Sequence, residues 1–341
     1  MFVYHVYRNY LPFGKLEKTS FFTGIITEGY TGIALFFVLS GFLFMNIALN
    51  SDHISYKGFL INRILRIYPL FLFIFFVAIS INRDNFASAD LLYIFSTNLG
   101  RPPTSFSVIT GNAWTISVEF TFYFVFPFLA TFAKQRGPVY LVQAILLMFI
   151  VRLVTYAVSE QPTQIYYWTL AGRFDQFLIG MLAAQICSGI SLTPKLSRLI
   201  LAVGGAAIIA LVWHQGRYAG LQRPQPRQPF WITWGIVEAA CWAAFVVGYS
   251  NAKIAWPAQA AKWLQRGGEL SYSLYLTHMI AITLLLHYAG PLATGYGNPA
   301  LFLGNGVVAL ALTWMASSLT FRVIEQPFLA MRRRYVVGGH S

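Results

Sequence analysis

The sequence predicts an all-α protein, a polytopic membrane bundle of about ten transmembrane helices with the first one truncated. Three observations carry this expectation. Hydrophobic residues make up 57% and aromatic residues 17% of 341 positions, against 10% charged, a composition that cannot clothe an aqueous surface. Apolar stretches of bilayer-spanning length recur along the whole chain. The basic residues gather in alternate connections, as the positive-inside rule requires.

The chain opens with MFVYHVYRNYLP, an apolar, aromatic half-helix that carries His5 and is stopped by Pro12. It has roughly half of the about 20 residues a span needs, so it reads as the outer end of a helix whose beginning is missing. The stretch 29–49, GYTGIALFFVLSGFLFMNIAL, reaches roughly 31 Å at 1.5 Å per residue and crosses a bilayer. Its Gly29, Gly32 and Gly41 permit close helix approach, and Ser40 can loosen the local backbone bonding; helix packing and a groove for a long substrate are both open readings. Further spans are expected near 66–82, 114–133, 138–158, 171–188, 197–213, 230–249, 271–289 and 299–320.

Lys57, Arg63 and Arg66, then Lys134 and Arg136, Lys195 and Arg198, Lys253, Lys262 and Arg266, and finally Arg332, Arg333 and Arg334 fall on one side of these spans. That side is expected to be cytoplasmic, with the C-terminus on it and the protein in the inner membrane. The formal charge of +13 thus orients helices and calls for no nucleic-acid partner. Cys187 and Cys241 lie in expected spans without metal-ligand or CxxC spacing, so they read as packing residues and no metal is implied. No cleavable leader is visible at the start, and the first span itself is expected to direct insertion. The stretch 214–229, HQGRYAGLQRPQPRQP, is expected to be an outward-facing loop, either a solvated linker or a surface that receives an anionic glycan. One membrane domain is expected over 1–341, with no internal repeat.

Ionisable groups inside spans are costly, so the few present are the candidates for function. They are His5, Glu119, Arg152, Arg173, Asp175, Glu238 and His278, with Glu28, Arg63, Arg66, Glu269 and Glu325 at helix ends. Arg63 and Arg66 lie on one helix face at the mouth of the third span, where they serve either as a membrane anchor or as a phosphate clamp. Glu119 needs a cationic or hydrogen-bonding partner, for which Arg173 is the candidate, beside Asp175 and Gln176. Arg152 is expected to snorkel. Ser271, Tyr275 and His278 recur at i, i+4 and i+7, a polar stripe that must point into the bundle.

Taken together these stretches resemble the type 3 acyltransferase family of integral membrane proteins, from His5 to about Pro327. The resemblance rests on motifs in family order: His5 of the first span; G-x-x-G-[IV]-x-L-F-F-V-L-S-G-F-L from Gly29 to Leu43; R-x-x-R-I-Y-P from Arg63 to Pro69; W-[TS]-[IL]-S-V-E-F-x-F-Y-x-x-x-P from Trp114 to Pro127; R-F-x-x-F-x-x-G-x-L from Arg173 to Leu182; S-Y-S-L-Y-L-x-H from Ser271 to His278; and E-Q-P from Glu325 to Pro327. It implies O-acylation, the transfer of an acyl group, usually acetyl, from acyl-CoA (acetyl-CoA) to a hydroxyl of a cell-surface polysaccharide or lipid-linked glycan. A sugar hydroxyl is a poor nucleophile and gains from a positioned base, for which histidine is suited. By position His5 would deprotonate the acceptor or assist acyl hand-over, and Arg63 and Arg66 would hold the phosphates of coenzyme A. Glu119 and Arg173 would shape or polarise the cavity, with Ser271, Tyr275 and His278 lining it.

Most family members carry L-D-x-L-R-G upstream of the histidine, and this chain begins after it. Either the natural start lies further upstream or the gene is a degraded, inactive paralogue; the pattern kept after His5 favours the first. No appended hydrolase-like domain is present, so an acyl relay to one would need another protein. A secondary transporter or flippase using Glu119, Arg173 and His278 as a proton relay is the alternative, although no related halves or matched broken helices are visible. A non-catalytic scaffold is the third reading.

Overall fold

The computed structural model describes residues 1–10, 24, 26–81, 83–85, 88, 113–218, 227–289 and 299–338. The helices are α1 (Phe2–Tyr10), α2 (Gly32–Leu49), α3 (Tyr56–Ile81), α4 (Ala113–Arg136), α5 (Pro138–Val158), α6 (Pro162–Trp168), α7 (Leu170–Ser188), α8 (Pro194–Tyr218), α9 (Phe230–Asn251), α10 (Ala258–Ala289), α11 (Pro299–Thr320) and α12 (Gln326–Ala330). A π-helical turn, Phe321–Glu325, joins α11 to α12. Two short strands, β1 (His53–Ile54) and β2 (Val336–Val337), pair antiparallel.

Among the described residues eight helical segments are long and apolar enough to cross a membrane, the last running continuously over Leu303–Ala330. Helices α1 and α7 make up the expected ten, but α7 is not among the eight. The reason lies in its surroundings. α7 packs against α2, α4, α5, α6 and α9, so its Arg173, Asp175 and Gln176 are buried against protein and need not match hydrocarbon. The outer helices do the opposite, turning Phe73, Phe76, Leu146, Leu147 and Ile150 outward to the position of lipid.

Several boundaries move outward from those expected. The span placed at 66–82 begins at Tyr56, which puts Arg63 and Arg66 inside α3 rather than at its mouth. The span placed at 271–289 begins at Ala258. α8 continues to Tyr218 and takes the first residues of the expected 214–229 loop into helix, while 219–226 lie outside the described residues. Gly137 turns the chain between α4 and α5 with φ +74°, a left-handed conformation that glycine adopts without strain, and Pro138 opens α5.

The core is aromatic. Phe122 and Phe177 stack with ring centroids 3.8 Å apart, and Phe37, Phe44, Phe59 and Phe126 extend the same cluster between α2, α3, α4 and α7. The α2–α7 crossing depends on Gly41 and Gly180. A Cβ at Gly41 would collide with the Phe177 carbonyl, and one at Gly180 with the Val38 carbonyl. We expect Gly41→Ala or Gly180→Ala to destabilise the protein by about 1–3 kcal/mol, read as a lower melting temperature in detergent. Gly268→Ala, where a Cβ meets open space, should leave melting unchanged. Equal melting of all three variants would mean that this crossing tolerates side chains.

The basic end of the bundle is closed by backbone-directed contacts. Lys134 Nζ donates to the Ser51 carbonyl at 2.5 Å, and the segment after α12 returns across α3. There Asn62 holds Arg333 from both sides, its Nδ2 donating to the Arg333 carbonyl at 2.6 Å and its Oδ1 accepting from the Arg333 N–H at 3.1 Å. Tyr335 packs edge-on to Phe59 at 5.6 Å.

Candidate active site

At the basic end the two arginines of α3 find different environments. Arg66 forms an ion pair with Glu325 at 3.3 Å and donates to the Glu269 carbonyl, also at 3.3 Å. The π-helical turn is what aims Glu325 inward; it is fully buried, and Ser273 donates a hydrogen bond to it. Among the described residues Arg63 pairs with no carboxylate. Its guanidinium lies over the rings of Phe44 (5.0 Å), Phe59 (5.6 Å) and Tyr123 (5.9 Å), and its buried Nε has no hydrogen-bond partner among the described residues.

Deeper along α4, Glu119 is buried and accepts a hydrogen bond from the Tyr123 hydroxyl one turn away. It lies within electrostatic reach of Arg63 and Arg66. The expected pairing of Glu119 with Arg173 is therefore corrected: Arg173 faces Glu238 of α9 at 3.6 Å, donates to the Tyr167 carbonyl at 3.0 Å and covers the Tyr167 ring at 4.7 Å. Gln176 bridges this group, with its Nε2 donating to Glu238 at 3.2 Å and its Oε1 accepting from Arg173 at 3.4 Å.

Arg152 does not snorkel. Its side chain is 1% exposed and pairs with the fully buried Asp175 at 2.8 Å, with further bonds to the carbonyls of Gly172 at 2.5 Å and Trp231 at 3.3 Å. Gly235 makes the room, since a Cβ there would strike the guanidinium. All the long, charged side chains of the α5–α7–α9 layer are thus consumed by one another, as buried charges must be.

Near the end of the bundle opposite the basic end, His5 of α1 and His278 of α10 come together with ring centroids 5.1 Å apart. His278 is buried, and its Nδ1 lies 2.6 Å from the Tyr275 carbonyl and 3.2 Å from that of Leu274. Carbonyls only accept, so Nδ1 carries the proton and Nε2 holds the lone pair. That Nε2 has no hydrogen-bond partner among the described residues. Tyr275 shares a 2.7 Å hydrogen bond with Thr115 of α4.

The i, i+4, i+7 stripe on α10 is only partly internal. Tyr275 and His278 face the bundle, whereas Ser271 is exposed: Leu270 and Ser273 on either side of it are buried, so at this level α10 turns a different face inward. The buried hydroxyls of this helix are instead Ser273, bonded to Glu325, and Thr277, which shares a 2.8 Å bond with Ser317 of α11. Ser273 went unread in the sequence; the signal was Glu325, a buried acid for which a donor had to exist. Cys187 and Cys241 are free and half-buried, and among the described residues no group of three or more His, Cys, Asp or Glu is placed to hold a metal.

Fold and site together define an integral membrane protein that keeps ionisable side chains inside its helix bundle, the class in which such groups mark a reaction or transport path. The chain belongs to the type 3 acyltransferase family: the family's acyltransferase domain matches residues 1–318. It is 25% identical over 344 residues to the peptidoglycan O-acetyltransferase OatA of Listeria monocytogenes, covering 88% of this chain and 51% of the relative. It is 24% identical to the putative peptidoglycan O-acetyltransferase YrhL of Bacillus subtilis, with 88% and 50% covered, and 22% identical to the O-acetyltransferase OatA of Staphylococcus aureus, with 89% and 53% covered. The chain spans about half the length of these curated relatives. No solved structure matches it.

Proposed function

We propose that the chain is a membrane O-acyltransferase that moves an acyl group, acetyl in the first instance, from acyl-CoA to a hydroxyl of a cell-envelope glycan, with peptidoglycan as the leading acceptor because two relatives carry peptidoglycan O-acetyltransferase names. The observation that carries this reading is the contact of His5 with His278, whose Nε2 is an open proton acceptor. The basic end faces the cytosol, where the donor is made, and the protein resides in the inner membrane.

In the proposed reaction the acceptor hydroxyl oxygen attacks the thioester carbonyl carbon. A C–O bond forms, the C–S bond breaks, and coenzyme A leaves as the thiolate. The hydroxyl proton passes to an imidazole, His5 with His278 beside it, and from there to the thiolate. Arg63 and Arg66 engage the donor phosphates through charge-assisted contacts, and Glu119 and Arg173 polarise the interior between the two ends.

The test uses membranes that contain the chain, incubated with radiolabelled acetyl-CoA and envelope glycans. Label in the glycan fraction supports the reading, and glycan labelling from another acetyl donor with none from acetyl-CoA would remove acyl-CoA from it. In purified protein, Arg63→Ala and Arg66→Ala should each weaken coenzyme A binding by about 10–100-fold, the range for loss of a charge-assisted hydrogen bond, with smaller effects on melting. Unchanged affinity in well-folded variants would take the arginine pair out of donor binding.

A further inference from the structure

A 3₁₀ turn, Gly29–Thr31, leads into α2 and gathers a second group of buried polar side chains at the end of the bundle that holds His5 and His278. The buried Tyr30 hydroxyl accepts a hydrogen bond from Gln215 Nε2 of α8 and is bonded to the Glu28 side chain. Thr31 accepts from Trp242 Nε1 of α9 at 2.9 Å and bonds Glu238 of the same helix. Glu28, Gln215 and Glu238 are each 2% exposed or less. Yet among the described residues Glu28 Oε2, Gln215 Oε1 and Glu238 Oε1 have no hydrogen-bond partner. A line of rings runs from this group to the histidines: Tyr30 meets Tyr4 at 5.8 Å, and Tyr4 meets His5 at 5.0 Å.

We propose that these three oxygens form the acceptor subsite, and that it takes an uncharged, hydroxyl-rich sugar ring by accepting hydrogen bonds from the ring's O–H and N–H groups. The proposal rests on the glycan O-acyltransferase reading above and deepens it, naming where the acceptor sits and which sugars are refused. None of Glu28, Gln215 and Glu238 belongs to the motifs that carry the family resemblance.

The polarity of the open atoms selects the ligand. Amide carbonyl and carboxylate oxygens only accept, and a buried acceptor is costly to leave without a donor. A ligand that brings several donors gains that cost back, and hydroxyls bonded to a carboxylate form the stronger, charge-assisted kind of hydrogen bond. Charge narrows the choice further. Glu28 and Glu238 lie within electrostatic reach of each other. Of the two, only Glu238 has a guanidinium among the described residues, that of Arg173 at 3.6 Å. The group therefore repels a ring that bears a carboxylate or phosphate. Tyr30 and Tyr167, with ring centroids 5.3 Å apart, add the aromatic surface on which a sugar's C–H face packs. Gly216, next to Gln215, lets α8 approach Glu28 closely, since a Cβ there would lie 3.3 Å from Glu28 Cγ.

The experiment measures equilibrium binding of a fluorescently labelled N-acetylglucosamine oligosaccharide, and of the same oligosaccharide oxidised to carry carboxylates, to the full chain in nanodiscs without an acyl donor. Acetyl transfer at varied glycan concentration is followed beside it. The uncharged oligosaccharide should bind about 10-fold more tightly than the oxidised one. Glu28→Gln should weaken its binding about 10-fold and raise KM for glycan by a similar factor, with KM for acetyl-CoA unchanged. This variant should melt no lower than the unsubstituted protein, because it removes a buried charge. Tyr30→Phe, which deletes the hydroxyl between Glu28 and Gln215, should weaken binding in the same sense and decides the matter if Glu28→Gln does not fold. Glu160→Gln, at an exposed acid between α5 and α6, should match the unsubstituted protein. Unchanged binding in folded Glu28→Gln and Tyr30→Phe would mean that buried water satisfies these oxygens and would overturn the inference, while acetyl transfer to glycan keeps the acyltransferase reading. Equal affinity for the two oligosaccharides would overturn it as well. A melting temperature raised by sodium or potassium ions in the unsubstituted protein but not in Glu28→Gln would assign the oxygens to a cation and overturn the subsite. Neither binding nor transfer by the unsubstituted protein would bring down both the subsite and the glycan reading.

Discussion

Replacing His5 with alanine should lower acyl transfer by about 10²–10⁴-fold, the range associated with a positioned general base, while the protein still folds. The fold is expected to survive because His5 sits at the periphery of the main aromatic cluster: its ring meets Tyr4 at 5.0 Å and His278 at 5.1 Å, and among the described residues α1 packs chiefly on α10, α11 and the turn before α2. His278→Ala should lower transfer as well, and the double variant should lose little more than the worse single one, since residues that act as a unit are not additive. The measurement is radiolabel transferred to glycan at matched amounts of folded protein. Full activity in His5→Ala would assign the proton transfer to another group. Independent, multiplying losses would mean that the two rings act in separate steps.

The second large effect concerns stability. Arg152→Met should destabilise the bundle by about 3–5 kcal/mol, because it leaves the fully buried Asp175 without its cation. The Gly172 and Trp231 carbonyls lose a donor at the same time. Replacing both partners, Arg152→Met with Asp175→Leu, should recover much of that loss, since apolar residues of similar volume remove the desolvation cost of both charges. Melting in detergent of the two single variants and the double variant tests it. A double variant as unstable as the sum of the singles would show that the guanidinium supports the layer through its carbonyl bonds rather than through Asp175.

How far this protein could be read without its structure differs from residue to residue. The Gly41 and Gly180 crossing was half visible: glycine at 41 signalled close approach, but not that α7 supplies the matching glycine. Arg173 was singled out correctly as a buried cation and given the wrong acid. Glu238 is 65 positions away on another helix, and no local spacing connects the two. The i, i+4, i+7 stripe gave a correct helix face for Tyr275 and His278, yet Ser271 is exposed while Leu270 and Ser273 at the same depth are buried, because the face that α10 turns inward shifts toward its basic end and is set by packing, not by local spacing. The arginine run after α12 looked uniform, yet Arg333 is held through its backbone by Asn62 and Arg334 turns back on the Val336 carbonyl.

Composition and the length of its apolar runs by themselves determined that this chain is a polytopic helical membrane protein, because a bilayer demands spans of fixed length with their backbone groups satisfied internally. Ordered motifs brought the family into view. Tertiary structure alone decided which guanidinium meets which carboxylate and that His5 and His278 touch. The reason is physical: helical periodicity is a local property written into consecutive residues, whereas a buried charge is satisfied by whichever partner the packed bundle carries to within a few ångströms, from any distance along the chain.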